Sequence, residues 1–398
     1  MIRPILFAAV WALCAGAALR SQVLQSGILQ SGVLRSGALP ASSRAQGSVV
    51  PPERRSDDAQ SAHDALPAAN GAALPGAAPS AISPDARVVR GMTISCQSWG
   101  WEWGSDGFTV ELDDLQKLGV NWVAIHPYAS IRRDGTVVAR DLDPNDPPEW
   151  ITRPIREAHA RGMSILIIPH IAYWGSPWKW RGEIDFTDEA SFQRFFTTYQ
   201  TWIANVARCA QGADGFSIGN ELDKLVVHEK EWRSIITAVR AATTARLTYA
   251  SDWTAYERVP FWDALDAVGV EAYFPLCESD DPDEVALRAG WKRVFESLER
   301  VHTKTGKPIV FTELGYNRSI DAARKPWAYE QTRGEKRDAA EALQTRCLKV
   351  ALEEIGARRE WLRGAFLWKW FVGRADRENF LMKAPLVRAA IASVWSHS

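Results

Sequence analysis

The feature that most constrains the fold is an alternation of short apolar runs with longer segments whose apolar residues recur at helical spacing. Runs such as Ile-Leu-Ile-Ile at residues 165–168 are apolar at every position, which is typical of strands covered on both faces in a parallel sheet. Eight strands are predicted, at residues 90–96, 121–126, 163–169, 215–219, 247–251, 267–273, 308–312 and 364–368. Helices are predicted at residues 112–118, 154–161, 190–209, 230–244, 283–304 and 339–355.

Eight strand-and-helix units in one domain, residues 87–398, predict an α/β fold of the (β/α)8 TIM-barrel type. The alternative is an open, doubly wound sheet. That fold is less well supported, because the first strand is not followed by the G-x-G-x-x-G phosphate-binding turn.

The first 86 residues differ in composition from the rest. Residues 1–20 contain Arg3, an apolar stretch too short to span a bilayer, and small residues around Gly16, a pattern that predicts a secretory signal peptide. Cys14 makes a lipoprotein an alternative, although Leu13 precedes it where a lipid-attachment site would have a small residue. An uncleaved membrane anchor is a further alternative. Residues 21–86 hold a five-residue Leu-Gln-Ser-Gly-type repeat and then mainly Ala, Pro, Ser and Gly, which predicts a disordered linker. We therefore expect a secreted or periplasmic protein.

Charge and cysteine content exclude several partners and sites. The formal net charge is -1, whereas binding to nucleic acid or an anionic membrane normally requires a basic surface. Neither nucleic acid nor stable membrane insertion is expected. Beyond Cys14, the cysteines are far apart and show no metal-ligand spacing, so the sequence predicts no disulfide framework, no metal site and no cofactor. It does not indicate an oligomeric state.

Carboxylates follow two of the predicted strands, at the end of a TIM barrel where chemistry takes place. Asn220 and Glu221 follow the fourth strand, and Glu313 follows the seventh. A carboxylate at the end of a buried strand is unfavourable unless it is paired or used. Two such groups across a pocket can cleave a glycosidic bond, one as the acid and the other as nucleophile or base. The alternative is that each forms a structural ion pair.

Aromatic residues also follow the predicted strands. The chain has 19 tryptophans, and a flat apolar ring is suited to stacking on sugars, although an unusually aromatic core is the alternative. Glu271 lies two residues before Tyr273 and therefore on the same strand face. It is a third carboxylate, which either pairs with a basic group or competes with Glu313 for the role proposed for Glu313. The further substrate-binding candidates are Trp99, Trp101, Trp103, Trp174, Trp253 and Trp368, together with His126 and His170, which are otherwise structural histidines.

Several motifs resemble a known family. Ser-Ile-Gly-Asn-Glu-Leu at residues 217–222 and Phe-Thr-Glu-Leu-Gly-Tyr at residues 311–316 resemble the two signatures of clan A glycoside hydrolases. Ile-Ser-Cys-Gln-Ser-Trp-Gly-Trp-Glu-Trp-Gly at 94–104, Ala-Tyr-Phe-Pro-Leu at 272–276 and Lys-Pro-Trp at 325–327 are similar to glycoside hydrolase family 113. Its known members are chiefly β-mannanases. The resemblance covers residues 87–398.

The resemblance implies a role for each matching residue. Glu221 would be the general acid/base and Glu313 the nucleophile of a retaining, two-step hydrolysis of β-1,4-mannosidic linkages. Asn220 would bind the sugar 2-hydroxyl, Trp368 would floor the subsite of the cleaved sugar, and Tyr273 would hold Glu313 and lower its pKa. The alternatives are hydrolysis of another β-glycan such as a glucan, an exo-β-mannosidase, and a catalytically inactive carbohydrate-binding barrel.

Overall fold

The computed structural model describes residues 88–140, 142–375 and 379–395. The predicted signal peptide and linker, residues 1–86, lie outside the described residues. The described strands are β1 (Val89–Ser95), β2 (Trp122–Ile125), β3 (Tyr128–Ile131), β4 (Val137–Val138), β5 (Ser164–Ile167), β6 (His170–Ala172), β7 (Gly215–Asn220), β8 (Arg246–Asp252), β9 (Val268–Glu271), β10 (Ile309–Leu314) and β11 (Leu362–Phe371). The described α-helices are α1 (Asp106–Lys117), α2 (Glu149–Ala160), α3 (Glu189–Cys209), α4 (Glu229–Arg240), α5 (Glu284–Thr305), α6 (Arg337–Gly356) and α7 (Pro385–Trp395).

Eight of these strands form a closed barrel in the order β1-β11-β10-β9-β8-β7-β5-β2. Every pairing between them is parallel, and β1 closes the barrel by pairing with both β2 and β11. Each of the eight corresponds to a predicted strand, so the predicted (β/α)8 barrel is confirmed. The carboxyl ends of all eight strands therefore meet at one end of the molecule.

A small sheet extends the barrel wall beyond this end. Strand β3 pairs in parallel with β6 and antiparallel with β4. Because β3 follows β2 after two residues and β6 follows β5 after two residues, the small sheet continues the β2–β5 pair past the barrel rim. None of its strands was predicted, since each has at most four residues, too few to show an apolar period. Helix α7 was also not predicted.

Local sequence signals fix several helix ends. The side chain of Asp188 caps α3 by accepting a hydrogen bond of 2.8 Å from the backbone N–H of Ser191, and Asp283 caps α5 in the same way. Helix α5 ends at Gly306, whose φ of 65° is left-handed and suits glycine. No described helix is both long enough and apolar enough to cross a membrane.

Barrel closure needs a glycine at one position. Gly364 in β11 has a φ of 131°, and a Cβ atom placed there would lie 1.9 Å from the carbonyl oxygen of Val89. Any side chain would therefore push β11 away from β1. Alternate residues of the strands pack outward against the helices in one large core. A smaller cluster inside the barrel contains Ala124, Leu166, Ile168, Ala250, Val310 and Phe366.

Candidate active site

Four neighbouring barrel strands carry polar side chains at their carboxyl ends. Asn220 ends β7, Asp252 ends β8, Glu271 ends β9 and Glu313 lies near the end of β10. Sheet register places Glu271 beside Asp252 on one side and beside Glu313 on the other. Glu221, the residue after β7, has a φ of 46° and is the one non-glycine residue with positive φ in the described chain. Such strain persists where the surrounding structure imposes it, often at functional sites.

Arg181 joins two of these residues and was not predicted. Its Nη1 donates hydrogen bonds to Oδ1 of Asn220 at 2.5 Å and to Oε2 of Glu221 at 2.8 Å. Because a guanidinium only donates, the contact fixes which side of the Asn220 amide is oxygen. Burial is the largest single influence and lowers the pKa of Arg181, but Glu221 and the other acidic groups around it together outweigh burial and raise the pKa above its usual value. Arg181 therefore remains a cation in the centre of the site.

Glu271 is the most enclosed carboxyl of the group, with 1% of its surface exposed. Nδ2 of Asn220 donates a hydrogen bond to its Oε1. Burial raises the pKa of Glu271 well above the usual range, and the charges of Glu221 and Glu313 raise it further. Both ends of the Asn220 amide are thus held, the oxygen by Arg181 and the nitrogen by Glu271.

Glu313 receives the predicted hydrogen bond from Tyr273. The hydroxyl of Tyr273 donates to Oε2 of Glu313 at 2.6 Å. Burial and the charge of Glu221 nevertheless raise the pKa of Glu313 to about 8, and the bond from Tyr273 opposes this rise without cancelling it. The expected lowering by Tyr273 is present, but it is the smaller effect because several carboxyl groups share one desolvated space.

Two stacked histidines form the adjacent wall. The rings of His126 and His170 lie 4.9 Å apart, both residues are buried, and none of their four ring nitrogens has a hydrogen-bond partner. Burial, with the charge of Lys369, lowers the pKa of His126 to about 3, and burial with the charge of Arg181 lowers that of His170 well below its usual value. Both are neutral imidazoles, each able to donate one hydrogen bond and accept one.

Aromatic rings continue the wall beside the histidines, since the ring of Trp368 lies 5.4 Å from that of His126. Trp368, Tyr273 and Phe380 form one packed cluster, and the ring of Trp253 stacks at 5.3 Å on that of Trp327. Trp327 and Tyr329 also pack here and were not predicted as site residues. The Lys-Pro-Trp motif that contains Trp327 was the available signal.

The tryptophans of the loops after β1 and β6 differ in exposure. Trp101 is 56% exposed and Trp174 is 37% exposed, and Trp99 lies edge-on to Trp174 with ring centres 6.4 Å apart. Trp103 has no exposed surface; its Nε1 donates to the carbonyl of Ile94. Its ring packs edge-on against His126, so it supports the histidine wall and does not present a face for stacking.

Two further buried acids, also not predicted as site residues, lie near Glu221. Burial and the charge of Glu221 raise the pKa of Asp252 to about 7. Asp223 is buried, and burial with the charge of Asp252 raises its pKa well above the usual value. The sequence predicted no metal ligands, but in three dimensions His170, Glu271 and Glu313 offer ligand atoms within 4.8 Å of one another, a spacing that by itself would suit a cation.

Similarity to a known protein family extends over most of the described chain. The family model of Glycoside Hydrolase Family 113 matches residues 92–381, which is most of the described chain. A search of curated proteins found no match.

Solved structures with the same fold include glycosidases. One is a GH113 β-1,4-mannanase that is 20% identical, with a TM-score of 0.66 over 78% of this chain and 99% of that chain. Another is a GH113 β-mannanase from Alicyclobacillus acidocaldarius that is 24% identical, with a TM-score of 0.66 over 78% of this chain and 97% of that chain. A β-glucuronidase from Ruminococcus gnavus is 11% identical, with a TM-score of 0.51 over 77% of this chain and 50% of that chain. At these identities the likeness is one of fold.

The raised pKa of Glu313 predicts a pH-dependent gain in stability for Glu313→Gln. Between its ordinary pKa of 4.5 and about 8, the unfolded chain releases this proton while the folded chain retains it, so stability falls as pH rises through that window. Glutamine does not titrate, so the Glu313→Gln variant lacks this loss of stability with rising pH. We expect Glu313→Gln to raise the free energy of unfolding by about 1 kcal/mol at pH 8 and by clearly less at pH 5.

Urea unfolding at both pH values measures this difference. Glu335→Gln, at an exposed glutamate, is the matched control and should change stability equally little at both. An equal effect of Glu313→Gln at pH 5 and pH 8 would show that Glu313 ionises normally in the folded chain.

Proposed function

The chain belongs to glycoside hydrolase family 113, and from that premise we propose that it hydrolyses β-1,4-mannosidic linkages in mannan or manno-oligosaccharides with retention of configuration. The observation that carries the proposal is the pair of acids at the ends of β7 and β10, Glu221 and Glu313, each held by its own partner. Arg181 holds Glu221, and Tyr273 holds Glu313. These are the two carboxyl groups that a retaining glycosidase requires.

In the proposed first step, Glu313 attacks the anomeric carbon while Glu221 protonates the leaving oxygen, which gives a glycosyl ester on Glu313. In the second step, Glu221 removes a proton from water as the water attacks the same carbon and releases Glu313. The hydrogen bond from Tyr273 favours the ionised, nucleophilic form of Glu313. It also holds the carboxyl group in one orientation for attack.

Asn220 suits the role of binding the sugar 2-hydroxyl. Its amide nitrogen carries two protons, and one of them is donated to Glu271. The direction of the other proton is fixed, because Arg181 already holds the oxygen of the same amide. Such a pre-oriented donor can strengthen its contact in the transition state without reorganising.

A continuous series of rings supports action on a chain of sugars. Trp368 lies 5.4 Å from His126, His126 lies 5.2 Å from Tyr128, and Tyr128 lies 5.3 Å from the exposed Trp174. The rings lead from the proposed floor of the cleaved sugar to the rim. We therefore place further sugar subsites towards Trp174 and Trp99, which favours an endo-acting mannanase over an exo-β-mannosidase. A glucan as substrate remains the second candidate in the same clan.

Loss of either proposed catalytic acid should abolish hydrolysis. Purified protein should release reducing sugar from mannan or mannohexaose, and Glu221→Ala and Glu313→Ala should each lower the rate by roughly 10³-fold or more. Glu335→Ala is the surface control and should leave the rate unchanged. Binding to mannan without release of sugar from mannan, glucan or any other β-glycan tested would instead identify a carbohydrate-binding barrel.

Covalent trapping should identify the nucleophile. A 2-deoxy-2-fluoro-β-mannosyl fluoride forms a slowly hydrolysed glycosyl ester, because the fluorine at C2 slows both steps while the fluoride leaving group keeps the first step fast enough to occur. Mass spectrometry of the digested protein should place the added sugar on the peptide that contains Glu313. A label on Glu271 would reverse the assignment of these two carboxyl groups, and an inverted product by NMR would exclude the retaining mechanism.

We also propose that the protein is exported, because residues 1–20 have the pattern of a signal peptide and residues 21–86 that of a linker. Expressed as the full chain in a Gram-negative host, it should be recovered outside the cytoplasm with an N-terminus near residue 21. Sequencing of the purified N-terminus measures this. A lipid-modified Cys14 would indicate a lipoprotein, and a cytoplasmic product that keeps Met1 would contradict export.

A further inference from the structure

Three side chains of the kinds that bind metal ions meet at one point of the site. One ring nitrogen of His170 and one carboxyl oxygen each of Glu271 and Glu313 lie within 4.8 Å of one another. All three residues are buried, with 1%, 1% and 5% of their surface exposed. His170 begins β6, Glu271 ends β9 and Glu313 lies in β10. Because each residue belongs to a different strand, the fold and not a local turn sets their spacing.

The histidine of this group faces one of the two carboxyl groups. Nε2 of His170 lies 4.0 Å from Oε1 of Glu313, which is too far for a hydrogen bond. Neither ring nitrogen of His170 has a hydrogen-bond partner in the described chain, and a buried polar atom without a partner is unfavourable. An atom that contacts both Nε2 and Oε1 would satisfy the nitrogen and the oxygen together.

The three donor atoms indicate which kind of atom fits between them. A neutral imidazole and two carboxylates are ligands that Zn²⁺ accepts. Ligand atoms of a tetrahedral zinc site lie about 3.4 Å apart, since each is about 2.1 Å from the metal. The 4.0 Å pair is close to that spacing, and rotation of one carboxyl group closes a pair at the 4.8 Å limit. The imidazole favours zinc, copper or nickel, whereas Mg²⁺ and Ca²⁺ prefer oxygen ligands alone.

The charges around the group favour an ion that contacts both carboxylates. Arg181 and Lys369 oppose a cation here, since their positive charges reach Glu313. Arg181 is already paired with Glu221 at 2.8 Å. Coulomb energy falls with distance, so a divalent ion in contact with Glu271 and Glu313 gains more from them than it loses to cations at longer range. A monovalent ion would gain only half as much from the same contacts.

We propose that His170, Glu271 and Glu313 bind a divalent transition-metal ion such as Zn²⁺, and that this ion inhibits the enzyme reversibly. The binding stands apart from the proposed function, whereas the inhibition rests on it, because it assumes that Glu313 is the nucleophile. Tyr273 holds Oε2 of Glu313 at 2.6 Å, so the ion takes Oε1, the oxygen on the side of His170. While it is bound to the metal, Oε1 cannot attack the anomeric carbon, and the ion occupies space that the sugar needs.

Calorimetric titration of the full chain with Zn²⁺, after treatment with a chelator, tests the site directly. Wild type should bind Zn²⁺ with a dissociation constant on the order of 1–10 µM, and Mg²⁺ at least about 100-fold more weakly. His170→Phe keeps a ring beside His126 and Trp368 but removes both nitrogens. It should weaken Zn²⁺ binding by roughly 100-fold. If His170→Phe does not fold, Glu313→Gln should weaken binding to a similar extent.

His159→Ala is the matched control. Nε2 of His159 lies 2.9 Å from Oδ2 of Asp214, but this pair is partly exposed and has a single carboxylate. Its removal should leave Zn²⁺ affinity unchanged. Wild-type Zn²⁺ affinity in His170→Phe and Glu313→Gln, both unfolding at the wild-type temperature, would overturn the proposal, as would an equal affinity for Mg²⁺.

Co²⁺ gives a spectroscopic readout of the ligands. It replaces Zn²⁺ in most protein sites, and its visible absorption is much stronger in four-coordinate than in six-coordinate complexes. Wild type and His159→Ala should develop the strong bands with Co²⁺, and His170→Phe should not. Strong bands that persist in His170→Phe would place the ion elsewhere and refute the site.

The kinetic consequence is competition between Zn²⁺ and substrate. Zn²⁺ at ten times its dissociation constant should raise the apparent KM for mannohexaose by roughly tenfold and leave kcat unchanged, and a chelator should restore the original KM. Zn²⁺ that is bound by the three residues without raising KM would refute the inhibitory role.

The binding and kinetic measurements distinguish failure of this inference from failure of the proposed function. Zn²⁺ binding that is lost in His170→Phe, in a protein that hydrolyses no β-glycan, would establish the ion site and refute the proposed function. Hydrolysis of mannan by a protein that binds no Zn²⁺ would refute the ion site and leave the proposed function intact.

Discussion

The arrangement of the site depends on one buried guanidinium. Desolvating several carboxyl groups at the ends of neighbouring strands is strongly unfavourable, and a cation in direct contact offsets part of that cost. Arg181 does this through a single nitrogen that contacts both Asn220 and Glu221. The loop that carries it is tied to the barrel, since Nε of Arg181 donates to the carbonyl of Ile171 and the backbone N–H of Lys224 donates to the carbonyl of Gly182. The strand ends and the loop after β6 therefore fix each other.

The walls of the site affect its charged groups because the walls themselves carry no charge. His126 and His170 are neutral, and the aromatic cluster around Trp368 adds no charge. A wall of this kind lowers the local dielectric, which strengthens every remaining interaction between charges. The raised pKa values of Glu313 and Glu271 follow from the same enclosure. A sugar entering the site completes it, because its hydroxyl groups can meet the unpartnered ring nitrogens and its apolar face can meet the rings.

The sequence was most informative where a pattern extends over several residues. The barrel strands were predictable because runs such as residues 165–168 and 309–311 are apolar throughout. Glu271 was marked as a third carboxylate near the pocket by its two-residue spacing from Tyr273. Arg181 was not predictable, because it lies 40 residues before Glu221 in a loop and only the fold brings the two together. The burial of Trp103 could not be predicted from the sequence either, because it depends on how the loop after β1 turns back onto the barrel.

One local conformation resolves a geometric conflict at the centre of the site. Successive side chains of a strand point to opposite faces, yet the adjacent residues Asn220 and Glu221 both contact the same nitrogen of Arg181. The positive φ of Glu221 redirects the chain immediately after β7, so that strand alternation no longer determines where the second side chain points. A left-handed conformation costs about 1–2 kcal/mol in a residue with a side chain. The salt bridge to Arg181 and the hydrogen bond that the backbone N–H of Glu221 donates to the carbonyl of Ala250 hold Glu221 in that conformation, so the contact that orients its carboxylate also helps to fix its backbone.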